Sequence, residues 1–430
     1  MVGLTSTSFL HADTKRAPAA GLVVLAMLTG LALNHSAVVA GINLSAADPF
    51  LILLITALAL SGTLFVPRAV AIFFCFLAGS TTLAATFITP STFGVVPDAT
   101  AIIADLVKLA VCFAYLACGV SLALAGIHTE ALKWFAVGAV VVAALGIAME
   151  ASGIRILGDA TYYAGVRYKG LMVDPNYWAV LSAAAVAYFA RSAAFPARIR
   201  IAAIAILGLA ILLSGSKTGL IVLVVFFLLF AIELSFRARN KAAAVLLTAG
   251  ALALAMFWQP ILAAVTDLVR SFVEAIPQLS RVIVLLEDPI GAIAEDGSGR
   301  FDTWASSIEI VQASPILGVG AGSYSKVSTE LFGRGTLAHN TYLQMAAEWG
   351  LLLAVVFFAW LFLVLARASS DGWKESPSSD TLVLRDMTFV FLVGSISLSL
   401  NNARMFWFFL GMLLVASALS RRQPPRIAAT

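Results

Sequence analysis

Apolar runs of membrane-spanning length recur along the chain, parted by short polar breaks. A spanning helix needs roughly 20 mostly apolar residues. Runs of that order fall at 18–36, 49–66, 69–89, 101–126, 131–150, 175–191, 198–214, 217–236, 241–262, 340–366, 386–402 and 404–420. They predict an all-α integral membrane protein with about twelve spans. The last two are divided by no more than Asn401-Asn402-Ala403. One break differs from the rest: 263–339 is too polar to span and too long for a plain connection. Within it, Phe301, Trp304, Ile308 and Val311 form one stripe at helical spacing, as do Val265, Leu268, Val269, Phe272 and Ile276. Both stripes predict helices lying in the headgroup plane, and a small globular cap packed on the bundle fits them equally well. The chain thus divides into spans one to nine (1–262), the long loop with interfacial helices (263–339), and three further spans with a tail (340–430).

Composition excludes the soluble alternative. Hydrophobic residues make up 61% of the 430 and charged residues 12%, with a mean hydropathy of +0.98. A soluble fold has too little interior for that much apolar surface. The net charge of +4 is spread along the chain, which argues against a nucleic-acid partner. Cys75, Cys112 and Cys118 lie in apolar runs and read as packing residues without a disulfide. Lys15 and Arg16 precede the first apolar run, read here as a retained span rather than a cleaved leader.

Charge sets the orientation. With both termini in the cytoplasm, Lys15, Arg16, Arg68, Lys133, Arg191, Arg198, Arg200, Arg237, Arg239, Lys241, Arg367, Lys374, Arg385, Arg421, Arg422 and Arg426 fall inside. The first two outer loops, 37–48 and 90–100, contain no Lys or Arg, as the positive-inside rule requires. This leaves Arg155, Arg167, Lys169, Lys217, Arg270, Arg281, Arg300, Lys326, Arg334 and Arg404 outside, against the bias. An anionic ligand would account for them.

Four segments could carry chemistry. Ser214-Gly215-Ser216-Lys217-Thr218-Gly219 is a short outer turn opening a helix. Backbone N–H groups at a helix start, with a lysine beside them, suit a phosphate or pyrophosphate; a tight turn with a snorkelling lysine is an equal reading. In the segment 167–176, Asp174 and Pro175 read as helix cap and first turn. Arg167 and Lys169 enter the membrane edge as cations, and Asn176 is either a packing residue or an orienting one. Gly297-Ser298-Gly299-Arg300 precedes the Trp304 stripe and Gly318-Val319-Gly320-Ala321-Gly322. No βαβ unit surrounds these glycines, so they are not a nucleotide loop. They instead allow tight bends or close approach to a ligand, and Arg300 suits a two-pronged grip on phosphate.

His339-Asn340 stands where the long loop meets the tenth span, and a histidine there can take a proton near neutral pH. Gly350, about 20° round a continuous helix from His339, would let a neighbouring helix pack close. Glu348 falls on the opposite face, so it is not expected to orient His339 directly. As an intramembrane acid it should face the bundle or a cavity, with a partner that the sequence does not name. Asp105 and Lys108, three apart, should neutralise each other. No metal-ligand cluster stands out.

Together these segments resemble the O-antigen ligase and polymerase family of bacterial envelope glycosyltransferases. The residues that carry the resemblance are SGRFDTWASSIEIVQASPILGVGAGSY (298–324), HNTYLQMAAEWG (339–350), RYKGLMVDPNYWA (167–179) and SGSKTG (214–219). It covers roughly residues 150–365. It implies a helical bundle of the GT-C type in the bacterial cytoplasmic membrane, with the active site on the periplasmic side. It also implies transfer of a glycan from undecaprenyl pyrophosphate to an acceptor hydroxyl, with no metal, nucleotide or other cofactor. The implied partners are a lipid-linked oligo- or polysaccharide donor, a glycolipid or glycan acceptor, and bilayer lipids. Carried over by position, His339 is catalytic, and Arg300, Arg167 and Lys217 hold the pyrophosphate. Lys169, Asn176, Asn340 and Glu348 would support them. Lys217 stands where the family has Arg, which keeps the charge and loses the two-pronged grip. The His339-to-Gly350 spacing resembles the ligases; a polymerase of repeat units and a flippase of anionic or lipid-linked substrates are the alternatives.

Overall fold

The computed structural model describes residues 19–39, 42–237, 250, 258–274, 276–288, 291, 300–333, 335–372 and 379–420. The Gly297–Gly299 turn, most of the predicted span 241–262, and the cations Lys15, Arg16, Arg239, Lys241, Arg334, Lys374, Arg421, Arg422 and Arg426 lie outside them.

The described residues form an all-α membrane protein. Helices Arg68–Phe93, Ala99–Leu124, His128–Ser152, Lys217–Phe236 and Leu351–Ser370 are long and apolar enough to cross a bilayer. Ala20–Ala32, Ala47–Leu60 and Arg404–Leu419 are apolar and shorter. Two small antiparallel hairpins, Ala37–Val39 with Ile42–Leu44 and Tyr162–Tyr163 with Arg167–Tyr168, are strands that the apolar pattern does not announce.

The chain separates into two compact units, one of Met1–Gly138 with Gly299–Thr430 and one of Ala139–Ser298. In the first, helices Ala99–Leu124 and Arg404–Ser420 meet backbone to backbone. A Cβ on Gly119 would lie 2.2 Å from Phe408 O, and one on Gly411 would lie 2.2 Å from Leu116 O. Hydrocarbon gives helices little reason to associate, so small residues that allow close van der Waals contact take over that task. Asp105 and Lys108 on the same helix pair at 2.7 Å, as their spacing predicts.

Helix Arg300–Ala313 forms where the Trp304 stripe predicts one, and it turns a different face inward. Thr303, Ser306, Ser307 and Ile310 are buried, while Phe301 and Ile308 are exposed. Ile310 packs into a cluster with Val319, Tyr324, Val327, Ala338 and Ala347. Ser307 and Tyr324 share a hydrogen bond of 2.7 Å, and burial raises the Tyr324 hydroxyl pKa above its ordinary value.

In the second unit, Pro175–Arg191 starts as the sequence predicts. Asp174 accepts from the N–H groups of Asn176 and Tyr177, and Pro175 needs no donor in the first turn. That helix meets Lys217–Arg237 at Gly219, where a Cβ would lie 2.4 Å from Ala179 Cβ.

Candidate functional site

The Ala139–Ser298 unit gathers cations on one turn. Helix Ala197–Leu213 ends at Ser214, and Gly215 takes a left-handed φ of 58°. The next helix is capped by Ser216, whose Oγ accepts from Gly219 N–H at 3.0 Å. Arg167 Nε donates to Ser214 O at 2.9 Å, and its Nη2 donates to Asn176 Oδ1 at 3.0 Å. Arg281 Nε donates to Gly215 O at 3.3 Å, a carbonyl that Arg167 Nη2 also reaches at 3.5 Å. Lys217, 8% exposed, opens the following helix.

A cation buried at a helix N-terminus works against the helix dipole. Cations converging on a helix start are an arrangement by which proteins hold an anion. Asn176 holds Arg167 through that hydrogen bond. Lys169 is half-buried and ties in through its backbone, with its N–H donating to Thr161 O at 2.9 Å.

Arg167 is aimed by an aromatic brace. Tyr168 is buried, and its hydroxyl donates to Val142 O at 2.5 Å. Its ring occupies the notch left by Gly146, where a Cβ would come within 2.4 Å of it. It meets Tyr162 and Trp178 edge-on at 5.7 and 5.9 Å. Burial raises the Tyr168 hydroxyl pKa, and burial beside Glu150 pushes that of Tyr162 up to about 12. Tyr162 donates to Glu150 Oε2 at 3.1 Å. Gln278 Nε2 donates to Val166 O at 2.6 Å and to Glu150 Oε1 at 3.3 Å. Sequence reasoning named Arg281 as one of the outer cations and gave it no site role. It gave Gln278 and Glu150 none either, because nothing in the chain's pattern links positions 150, 166 and 278.

The other residues singled out in the sequence stand in the first unit. Arg300 is the first residue of helix Arg300–Ala313. His339 is half-buried with a left-handed φ of 48°. Asn340 caps helix Thr341–Trp349, its side chain accepting from Leu343 N–H at 3.1 Å.

The expected continuous helix over 340–366 does not form. Helix Thr341–Trp349 stops at Gly350, with φ at 83°, and a second helix starts at Leu351. His339 and Gly350 therefore do not share a helix face, and Gly350 admits a loop in place of the expected helix. A Cβ there would lie 2.0 Å from Ile316 O, and Leu351 N–H donates to Pro315 O at 2.8 Å. The partner of Glu348 is Gln344, whose Nε2 donates to its carboxylate. Glu348 faces a cavity shared with Asp105, Thr81, Asn401 and Asn402.

The glycine loop packs closely on protein backbone. Val319 and Gly320 N–H donate to Ala347 O and Glu348 O at 2.8 and 3.0 Å, which satisfies carbonyls at the end of the interrupted helix. Ala321 N–H donates to Thr81 O at 3.0 Å, and Gly322 N–H to Asp105 Oδ2 at 2.7 Å.

Several outer cations have protein partners, which corrects the expectation that an anionic ligand accounts for the whole set. Arg404 pairs with Asp48 at 2.6 Å and Lys326 with Asp98 at 3.1 Å. Arg270 pairs with Asp267 and Glu287 at 3.0 and 2.5 Å. Arg155 lies over the Tyr162 ring at 4.6 Å.

A family model described as O-antigen ligase matches residues 202–358, which supports the resemblance to the ligase and polymerase family. The match takes in the Ser214–Gly219 turn, Arg281, Arg300, His339 and Glu348. No curated protein matches the chain.

Proposed function

With an O-antigen ligase domain over residues 202–358 as the premise, we propose that this protein moves a glycan from undecaprenyl pyrophosphate to an acceptor hydroxyl. The reaction takes place at the periplasmic face of the bacterial inner membrane, in a chain whose termini are cytoplasmic and whose 263–339 loop is outside. The acceptor oxygen attacks the anomeric carbon of the donor sugar as its proton passes to His339. The bond from that carbon to the phosphate oxygen breaks, and the lipid pyrophosphate leaves with the electron pair. Arg167 and Lys217, joined by Arg281, hold the pyrophosphate and offset its growing charge, a task that other enzymes give to a divalent ion. Arg300 grips the phosphate, and Asn176 aims Arg167.

The observation that supports this most is the meeting of Arg167, Lys217 and Arg281 on the Ser214–Gly215 turn. His339→Ala and Arg300→Ala should each abolish surface polysaccharide while the protein still reaches the membrane in normal amounts. Arg167→Ala should slow transfer by roughly 10²-fold or more, the usual effect of losing one preorganised charge donor. The assay is purified protein with a lipid-linked oligosaccharide and candidate acceptors. Full activity in both His339→Ala and Arg300→Ala would end the assignment. Movement of the lipid without covalent transfer would favour a flippase.

A further inference from the structure

We propose that Gln344 and Glu348 are positioning residues that hold His339 in its working conformation; this rests on the reading of His339 as the general base. The left-handed backbone of His339, φ 48°, is strained for an L residue, so something must hold it. The chain does so by fastening the residues on both sides. On the N-terminal side Ala338, fully buried, donates its N–H to Gln344 Oε1 at 2.8 Å. On the C-terminal side, Thr341 N–H donates to Ser395 O at 2.8 Å. Thr341 Oγ1 donates to Leu398 O at 2.7 Å and accepts from Leu400 N–H at 2.8 Å.

Gln344 is fixed in turn. Its Oε1 has to face the Ala338 N–H, which leaves Nε2 facing the Glu348 carboxylate, to which it donates. The two side chains are four apart and therefore neighbours on one helix face. Glu348 thus reaches His339 at one remove, through the amide and the Ala338 backbone. Packing alone would favour leucine or methionine at 344, where the side chain is 1% exposed. A buried amide is costly unless both its ends are bonded, and here both are, one of them to the residue before His339.

The test uses the full chain in lipid nanodiscs, with a lipid-linked oligosaccharide and an acceptor. Rates and thermal unfolding are measured for Gln344→Leu, Glu348→Gln and the swapped pair Gln344→Glu with Glu348→Gln. The swap keeps an acceptor for the Ala338 N–H and a donor–acceptor bond between the two side chains. Gln344→Leu should lower kcat by about 10²-fold, the scale of a 1 Å misplacement. KM for the donor should stay put, the unfolding temperature should fall only modestly, since the buried Ala338 N–H loses its acceptor, and the swap should recover most of the rate. Rate losses that vanish when each variant is assayed well below its own unfolding temperature, a raised KM at normal kcat, or a swap no better than Gln344→Leu would overturn the proposal. Normal rates in Gln344→Leu beside an inactive His339→Ala would overturn the positioning role and leave the base standing. An active His339→Ala would remove the base, and the positioning role with it.

Discussion

Replacing Gly320 with alanine is expected to prevent the protein from accumulating in a folded form. The new Cβ would lie 2.2 Å from Thr81 O and 2.3 Å from Ala85 N, both backbone atoms of the helix beside it, and φ at this position is 77°. The left-handed backbone alone costs about 1–2 kcal/mol, and overpacking adds typically 1–3 kcal/mol, more where the obstacle is backbone. Against a total stability of about 5–15 kcal/mol, that is a large share. Relief would require the loop to withdraw, breaking the bonds from Gly320 to Glu348 O and from Ala321 to Thr81 O. The control is Gly333→Ala, where φ is 67° and nothing lies within 4 Å. It carries the backbone cost without the collision, so it should fold with a modest loss, about 1–2 kcal/mol. Detergent-solubilised yield and size-exclusion profiles of the two variants make the comparison. Equal behaviour would show that the loop is not clamped as described.

A second large effect should come from the ion pair of Arg404 and Asp48. Arg404 Nε and Nη2 donate to the two Asp48 oxygens at 2.6 and 2.8 Å, and Nη2 also donates to Asn43 O at 2.6 Å. Tyr115 donates its hydroxyl proton to Asp48 Oδ1 at 2.9 Å, and Ser45 N–H donates to Oδ2 at 2.8 Å. Asp48 therefore joins three segments of the first unit, and its charge is balanced as long as Arg404 remains. Arg404→Met should cost about 3–5 kcal/mol because it strands that carboxylate. Changing both partners, with Asp48→Leu added, should recover a substantial part, because no uncompensated charge is left. Thermal unfolding of both variants decides it. A double variant no more stable than Arg404→Met would show that the remaining hydrogen bonds, rather than the charge pair, dominate.

These two features mark how far the chain could be read without its fold. Local rules did well wherever the partner is near in sequence. Apolar run length located helix 175–191, the start of 217–236, and the segment 404–420. Asp174-Pro175 announced a helix start, and the three-residue spacing of Asp105 and Lys108 announced their pair. The same rules failed where a distant segment interrupts a helix. The apolar run 340–366 looks continuous, but carbonyls near Gly350 bond to the loop at 315–320, so the helix breaks and His339 leaves its face.

What the sequence determined by itself is a helical membrane protein with cations gathered beside helix starts, and the match over residues 202–358 agrees with the family those motifs resemble. Run length, end caps and helix spacing are properties of neighbouring residues, so a linear reading reaches them. Only the tertiary structure decided that Arg167, Asn176 and Arg281 meet at Ser214–Gly215, that three glycines press on three different helices, and that Gln344 links Glu348 to the residue before His339. Those are hydrogen bonds and steric contacts between distant positions or specific atoms. They exist only once packing has brought the atoms within about 3 Å of one another, the range over which a hydrogen bond acts.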